Sequence, residues 1–286
     1  MILYKGIACN APVKTLKRHH MKKQNLNLTL SALAAIFLFL LSIAASGAPK
    51  GKQEFYEIRV YHISQKAQET LIDNYLKDAY LPALHRAGIS NIGVFKPVET
   101  DTAFGKRVYL FIPFKTVNQY LKLQGVLDKD QVYVRASADF IDAPYNSPPF
   151  SRYESMLLKA FAFMPKLKAP SHPTPPSERI YELRDYESAT NSKAVKKIHM
   201  FNQGGEIALF ERLGFNAVFY GEVLMGSKMP NLMYMITFPN QASRDEHWAT
   251  FRNDPEWKRM SGLEEYRNTV SKVKYFFLHP TSYSDF

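Results

Sequence analysis

A seven-residue segment in which polar and apolar side chains alternate occurs twice in this chain. The segment FYEIRVY at 55–61 returns as IYELRDY at 180–186, an offset of 125 residues. Further on, Ala-Gly-Ile at 87–89 is followed in the same order by Leu-Gly-Phe at 213–215. Self-similarity at a long spacing is typical of repeated structural units. The sequence therefore predicts two copies of one unit within its 286 residues.

Each half is predicted to contain a strand, a helix, two strands, a second helix and a last strand. Apolar residues at i, i+4 spacing predict a helix over 66–87, kinked by Pro82, and a matching helix over 192–212 that is weakened at Gly204 and Gly205. Segments 116–119 and 243–246 are predicted to be capping boxes of the second helices, and Asp254 is predicted to cap a further helix that begins at Pro255. This βαββαβ order predicts an α+β protein made of two tandem ferredoxin-like units.

The predicted domain boundaries follow from composition. Residues 1–48 are predicted to be a leader, 53–164 the first unit, 165–177 a linker and 178–286 the second unit. The linker is rich in proline, which suits neither a helix interior nor a central strand.

The leader is predicted to be a signal peptide. Lys22 and Lys23 precede an apolar run over 32–41 and the small residues of 44–48, which is the order of a secretory signal. Translation starting at Met21 fits this pattern, and an uncleaved membrane anchor is the alternative. We therefore expect an exported protein, periplasmic or secreted, that meets a membrane only through an uncleaved leader.

Charge and cysteine content exclude several classes of function. The net charge is +11, but six of the 37 basic residues precede residue 49, which leaves 31 basic against 26 acidic residues. No basic stripe for a phosphate backbone remains, so no nucleic-acid partner is expected. The single cysteine, Cys9, lies in the leader, so thiol catalysis and Cys-ligated metal sites are not expected after it.

Alternation along the first strand predicts two different faces. Tyr56, Ile58 and Val60 point to one face, and we expect this apolar set to pack on the helices. The polar set would then face the interior between two units packed sheet to sheet.

The second half resembles the NIPSNAP family. The resemblance rests on five features: the Tyr-Glu-Leu-Arg strand at 181–184, the glycine-containing segments 204–206 and 219–222, Met-Pro-Asn at 229–231 with Tyr234, Trp248, and Asp-Pro-Glu-Trp-Lys at 254–258. The first half has Asp-Lys-Asp-Gln at 128–131 where the last motif would stand, so it is the more diverged copy. The resemblance implies a dimeric α/β-barrel fold, whose superfamily includes cofactor-independent monooxygenases and haem-handling enzymes.

The polar strand positions and their neighbours are the candidate ligand-binding residues. They are Glu57, Arg59, Tyr61, Glu182, Arg184, Tyr186, Glu206, Tyr220, Glu222 and Tyr234. The alternative interpretation is a structural network of ion pairs across the sheet. Trp248, Phe251 and Trp257 are predicted to be core residues.

No cofactor and no metal site are expected. The histidines after residue 48 lack a metal-ligand spacing such as His-Glu-x-x-His, and haem binding through His85, His199 or His247 is the alternative. The sequence thus predicts a small organic ligand in a barrel interior, with cofactor-independent monooxygenase-like chemistry as an extension. A non-catalytic assembly module of the cell envelope, acting as a homo-oligomer, is the alternative function; the catalytic residues and enzyme status stay open.

Overall fold

Eight strands form one closed antiparallel barrel in the computed structural model, which describes residues 51–286. The predicted leader lies outside the described residues. The first half contains, in order, β1 (Phe55–His62), α1 (Lys66–Asn74), a π-helical turn (Tyr75–Tyr80), α2 (Leu81–Arg86), β2 (Gly93–Pro97), β3 (Arg107–Phe114), α3 (Val117–Leu127), α4 (Gln131–Ile141) and β4 (Arg152–Ala160).

The second half repeats this order of strands and helices. It contains β5 (Ile180–Glu187), α5 (Asn191–Phe201), α6 (Glu206–Arg212), β6 (Asn216–Met225), β7 (Asn231–Phe238), α7 (Gln241–Asn253), α8 (Pro255–Ser261), a 3-10 turn (Glu264–Tyr266) and β8 (Lys272–Pro280). Between β4 and β5 the described chain has neither helix nor strand.

The strand order around the barrel is β1-β3-β2-β8-β5-β7-β6-β4. Strands of the same half are neighbours except at two seams, where β2 pairs with β8 and β4 pairs with β6. These pairings join the two four-stranded sheets along both edges. The barrel therefore closes within one chain, and closure removes every free sheet edge.

The predicted orientation of the strand faces is wrong. Tyr56, Ile58 and Val60 point into the barrel, where they join apolar side chains of the second half such as Leu183 and Phe219. The polar set therefore lies between the sheets and the helices: Glu57, Arg59, Tyr61, Glu182, Arg184 and Tyr186. The enclosed interior of a small barrel must be filled by side chains, and unpaired polar groups there would lose their hydration without compensation.

The helices begin and end close to the predicted residues. Before Pro82 the first helix widens into its π-helical turn, which accommodates a residue that lacks an N–H group and crowds the preceding carbonyl. The helix predicted over 192–212 breaks as expected into α5 and α6, and Gly205 at the break has a left-handed φ of 98°.

The caps of the later helices agree with the sequence in two of three cases. Thr116 caps α3, and Asp254 caps α8 ahead of Pro255. The predicted cap at Ser243 is wrong, because Asn240 accepts the hydrogen bond from the Ser243 N–H and the helix begins one turn earlier. Asn is as good an N-cap as Ser.

The two ends of the barrel differ. At one end Phe286 stacks on Tyr181 and contacts Phe95, so an aromatic ring covers the interior. At the other end the strands leave an opening. Within 51–286, no helix combines the length and the apolar character needed to span a membrane.

Candidate functional site

A cavity of about 350 Å³ lies between the sheet and the helices of the second half. Strands β5 and β7 contribute Arg184, Tyr186 and Tyr234 to its floor. Its helical walls and rim are formed by Lys197, Glu206, Trp248, Phe251, Arg252, Trp257 and Val270. Alternation along β5 places Arg184 and Tyr186 on one face, so both side chains point toward the helices.

Arg184 is the centre of the hydrogen-bond network on the cavity floor. Its Nη1 atom donates to the hydroxyl of Tyr186 at 2.8 Å and to that of Tyr234 at 3.3 Å. Its Nε atom donates to Oε1 of Glu182 at 2.6 Å. The guanidinium carbon also lies 4.0 Å from the ring centroid of Trp248, a cation–π contact. These contacts fix the guanidinium in one position.

Glu182 holds Arg184 in place by a hydrogen bond but does not itself line the cavity. Its carboxylate is completely buried, and besides Arg184 it accepts hydrogen bonds from Arg244 Nε and Trp248 Nε1, both at 2.8 Å. A buried carboxylate with several charge-assisted donors is well compensated. Removing Arg184 alone would therefore leave Glu182 with two partners.

Burial controls ionisation on the cavity floor. Burial raises the pKa of Tyr234 well above its usual value, and the nearby Tyr186 hydroxyl adds to the effect against the opposing charge of Arg184. Burial works to lower the pKa of Arg184, but Tyr234, Tyr186 and Glu182 outweigh it and raise that pKa. Tyr234 is therefore a neutral hydroxyl beside a permanent cation.

A buried ion pair forms the opposite wall. Lys197 Nζ lies 2.7 Å from Oε2 of Glu206, with the two residues 4% and 2% exposed. The ammonium group also lies 4.6 Å from the ring centroid of Phe201. The helix break at Gly205 allows this pair to form. A new helix, α6, begins there, and its first residue, Glu206, faces α5.

The cavity carries an excess of positive charge. Arg184, Lys197 and the exposed Arg252 face a single lining carboxylate, that of Glu206. Two tyrosine hydroxyls add hydrogen-bonding groups beside the cations. Such a site can hold an anionic or strongly polarised oxygen, while the indole rings offer a flat apolar surface.

In the first half, side chains fill the corresponding space between the sheet and the helices. Arg59 again bonds Glu57 at 2.9 Å and Tyr61 at 3.3 Å. However, the rings of Tyr75 and Phe140 stack there with centroids 3.9 Å apart, and Tyr80 packs against Arg59. The strand motif is thus shared, whereas the Lys197–Glu206 pair and the cavity beside it belong to the second half.

The match to a family model covers the half that contains this cavity. Residues 181–285, from β5 to the C-terminal segment, match the model described as NIPSNAP. We call this half the NIPSNAP domain after the family model that it matches. The resemblance predicted from its sequence motifs is confirmed, and the cavity lies wholly within the NIPSNAP domain.

Solved structures extend the comparison to the whole barrel. A candidate monooxygenase from Lactobacillus acidophilus matches at a TM-score of 0.52 and 11% identity, over 80% of this chain and 94% of that one. A candidate monooxygenase from Fusobacterium nucleatum matches at 0.53 and 8%, over 81% and 94%. At such identities the likeness shows a shared α+β barrel fold.

A NIPSNAP-like domain protein from Burkholderia xenovorans, itself uncharacterised, is 19% identical over 37% of this chain and 89% of that chain, with a TM-score of 0.34. No curated protein matches the sequence.

The cavity of the NIPSNAP domain brings together four of the predicted site residues, namely Arg184, Tyr186, Glu206 and Tyr234. Tyr220 instead lies in the aromatic core between Phe161 and Phe210. Glu222 is half-buried on β6 and does not line the cavity. Trp248 and Trp257, predicted as core, pack on Phe251 and line the cavity as well.

Sequence reasoning missed Lys197 and Arg244. Lys197 interrupts the buried stripe of α5, between Ala194 and Phe201, and a charged residue at such a position was the available signal. Among the described residues there is no cluster of three or more groups suited to hold a metal ion. His199 bonds the Tyr266 hydroxyl at 2.9 Å, and His85 bonds Asp285 at 3.0 Å.

Proposed function

We propose that the NIPSNAP domain binds a small aromatic anion in the cavity between its sheet and its helices. The observation that carries this proposal is the convergence of Arg184, Tyr186, Tyr234 and the Lys197–Glu206 pair on one cavity of about 350 Å³. Arg184 and the tyrosine hydroxyls would hold a carboxylate or phenolate oxygen, and the indole rings would pack on the aromatic body. The volume suits a ligand of one or two rings.

Oxidation without a cofactor is the second candidate, supported by the fold shared with candidate monooxygenases. In this scheme an activated methylene group of the ligand transfers a proton to Glu206, and Arg184 and Lys197 offset the charge of the resulting carbanion. Dioxygen is the oxidant: the methylene becomes a carbonyl, and the second oxygen atom leaves as water. Oxygen consumption with an aryl β-diketone as probe tests this step, and no consumption above that of the Glu206→Gln variant contradicts it.

The binding proposal is tested by titration calorimetry with 4-hydroxybenzoate and 1-naphthoate as probes. We expect one of them to bind, and we expect Arg184→Met to weaken binding at least tenfold because the anion loses its charge-assisted hydrogen bond from the guanidinium. The matched control is Arg59→Met, which removes the same strand arginine from the filled layer of the first half. Equal losses in both variants, or no binding of either probe, would contradict the proposal.

Tandem units, export and the absence of a required cofactor belong to the same proposal. The common element order and the 125-residue offset support two copies of one unit. Lys22, Lys23 and the apolar run 32–41 support export, and N-terminal sequencing should place the mature start between Ala45 and Lys50. Export is contradicted by an intact Met1 or Met21 on a protein recovered from the cytoplasm.

Self-assembly in the cell envelope remains the other class of function. Sedimentation of the mature protein separates it from ligand binding. A stable oligomer whose melting temperature no probe changes would favour assembly, and a monomer stabilised by one of the probes would favour binding.

A further inference from the structure

The open end of the barrel is a second cavity, separate from the one in the NIPSNAP domain. We call it the barrel mouth, a space of about 400 Å³ lined by strands of both halves. Its floor is apolar and includes Met156, Met233 and Phe276, which belong to the interior cluster of the barrel. Its rim is charged. The opposite end of the barrel carries Phe286, so the mouth is a blind pocket.

The mouth exists because β2 is short. Strand β2 ends at Pro97, and its last pairing with β3 joins Phe95 to Tyr109. The starts of β3 and β8 extend past that end without a strand between them. Arg107 and Phe276 border this gap, which continues outward beside the 101–106 loop.

The acidic groups of the rim already have partners. Asp185 accepts hydrogen bonds from Asn231 Nδ2 at 2.8 Å and from Lys228 Nζ at 3.4 Å. Glu154 lies 2.8 Å from His62 Nε2 and accepts from Ser227 at 3.3 Å. These two carboxylates therefore do not neutralise the remaining cations.

Two cations of the rim, Arg107 and Lys274, have no close carboxylate to neutralise them. Among residues 51–286 no carboxylate pairs with the Arg107 guanidinium, whose nearest polar neighbour on the rim is the hydroxyl of Tyr109. In the described part of the chain, the one carboxylate that pairs with Lys274 is that of Glu187, at 4.0 Å. The Tyr109 hydroxyl is buried beside Arg107, and in the described part of the chain it makes no hydrogen bond of good geometry. A buried hydroxyl without a partner costs free energy, which a bound acceptor would recover.

We propose that the barrel mouth binds an amphipathic monocarboxylate. The carboxylate would accept hydrogen bonds from Arg107 and Tyr109 with Lys274 nearby, and the hydrocarbon body would lie on Met156, Met233 and Phe276. A cavity of about 400 Å³ suits a chain of roughly eight to ten carbons. This site is independent of the proposed aromatic-anion site, with which it shares no residue.

Titration calorimetry with octanoate tests the proposal, with 1-octanol as the probe that lacks the charge. We expect octanoate to bind and octanol to bind at least tenfold more weakly. Arg107→Met should weaken octanoate binding at least tenfold, and Lys274→Met should weaken it severalfold. The matched control is Lys272→Met, an exposed lysine two residues earlier on β8 that does not line the mouth. Arg184→Met should leave octanoate binding unchanged.

A structure with bound 8-bromooctanoate gives a readout that does not depend on variant folding. Bromine scattering within the mouth, against Phe276, would support the proposal. Bromine in the NIPSNAP-domain cavity, no octanoate binding, equal affinity for octanol, or full binding by Arg107→Met would each overturn it. None of these results bears on the aromatic-anion site, which is judged by Arg184→Met with its own probes.

Discussion

Lys197 Nζ lies 2.7 Å from Glu206 Oε2, and both side chains are almost completely removed from solvent. The two residues stand on successive helices that a glycine break turns toward each other. A buried pair of this kind is costly to break, because removing one charge leaves the other without compensation. In the first half, the stacked rings of Tyr75 and Phe140 fill the corresponding space between the sheet and the helices.

Lys197→Met should lower the free energy of unfolding by about 3–5 kcal/mol, because it leaves the Glu206 carboxylate buried and unpaired. The double variant Lys197→Met with Glu206→Leu should recover at least half of this loss, since no buried charge then remains. Urea unfolding of the three proteins measures both effects. A single variant that loses less than about 1 kcal/mol would show that the pair is not isolated from water.

Arg184→Met should cost less, about 1.5–3 kcal/mol, the usual value of hydrogen bonds to charged groups. Glu182 keeps Arg244 and Trp248 after this change, so no carboxylate is stranded. Glu182→Leu should cost more than Arg184→Met, because it leaves two half-buried guanidinium groups without their shared acceptor. Parallel urea melts give the order, and the reverse order would contradict the assigned roles.

Phe219→Ala should lower the free energy of unfolding by about 3–5 kcal/mol through a cavity in the barrel interior. Phe219 stacks on Phe111 of the first half with ring centroids 5.0 Å apart, so the change removes a contact between the halves. Leu121→Ala is the control, because Leu121 is 68% exposed, and it should change stability by less than about 0.5 kcal/mol. Chemical denaturation compares the two variants.

Thr116→Ala and Asn240→Ala should each cost about 1 kcal/mol, the usual loss of an N-cap side chain. Ser243→Ala is the matched control: its position was predicted to be a cap, but it lies inside α7. It should therefore cost clearly less than Asn240→Ala in thermal melts. Equal losses at Ser243 and Asn240 would favour the start of the helix predicted from the sequence.

Asp254 should contribute to the loss of stability in acid. The hydrogen bond from Arg212 lowers the pKa of Asp254, and the N–H groups of Glu256 and Trp257 lower it further. A carboxyl group whose pKa is lower in the folded state stabilises the fold above its unfolded pKa of about 3.9, and this stability is lost as the pH falls below that value. Asp254→Asn should therefore flatten the stability profile below about pH 4 in thermal melts at stepped pH. A profile below pH 4 that Asp254→Asn does not change would contradict this role of Asp254.

Much of the local structure was predictable from the sequence. The strand at 180–187, the glycine break before Glu206 and the caps Thr116 and Asp254 follow from short-range patterns, which act within a few residues. The diverged segment 128–131 also provides an N-cap: Asp130 caps α4 in the same way that Asp254 caps α8. The position of Lys197 beside Glu206 was not predictable, since it depends on the angle between two helices.

The sequence by itself determined the order of strands and helices and the resemblance of the second half to the NIPSNAP family. It also determined that β1 and β5 each have one polar and one apolar face, because successive side chains of a strand point in opposite directions. Only the tertiary structure decided which face is enclosed. That choice depends on the pairing of β2 with β8 and of β4 with β6, between residues far apart in the chain. Once these edges close, the interior excludes water and takes the apolar face, and the Glu/Arg/Tyr rows lie beneath the helices, where other side chains can pair with them.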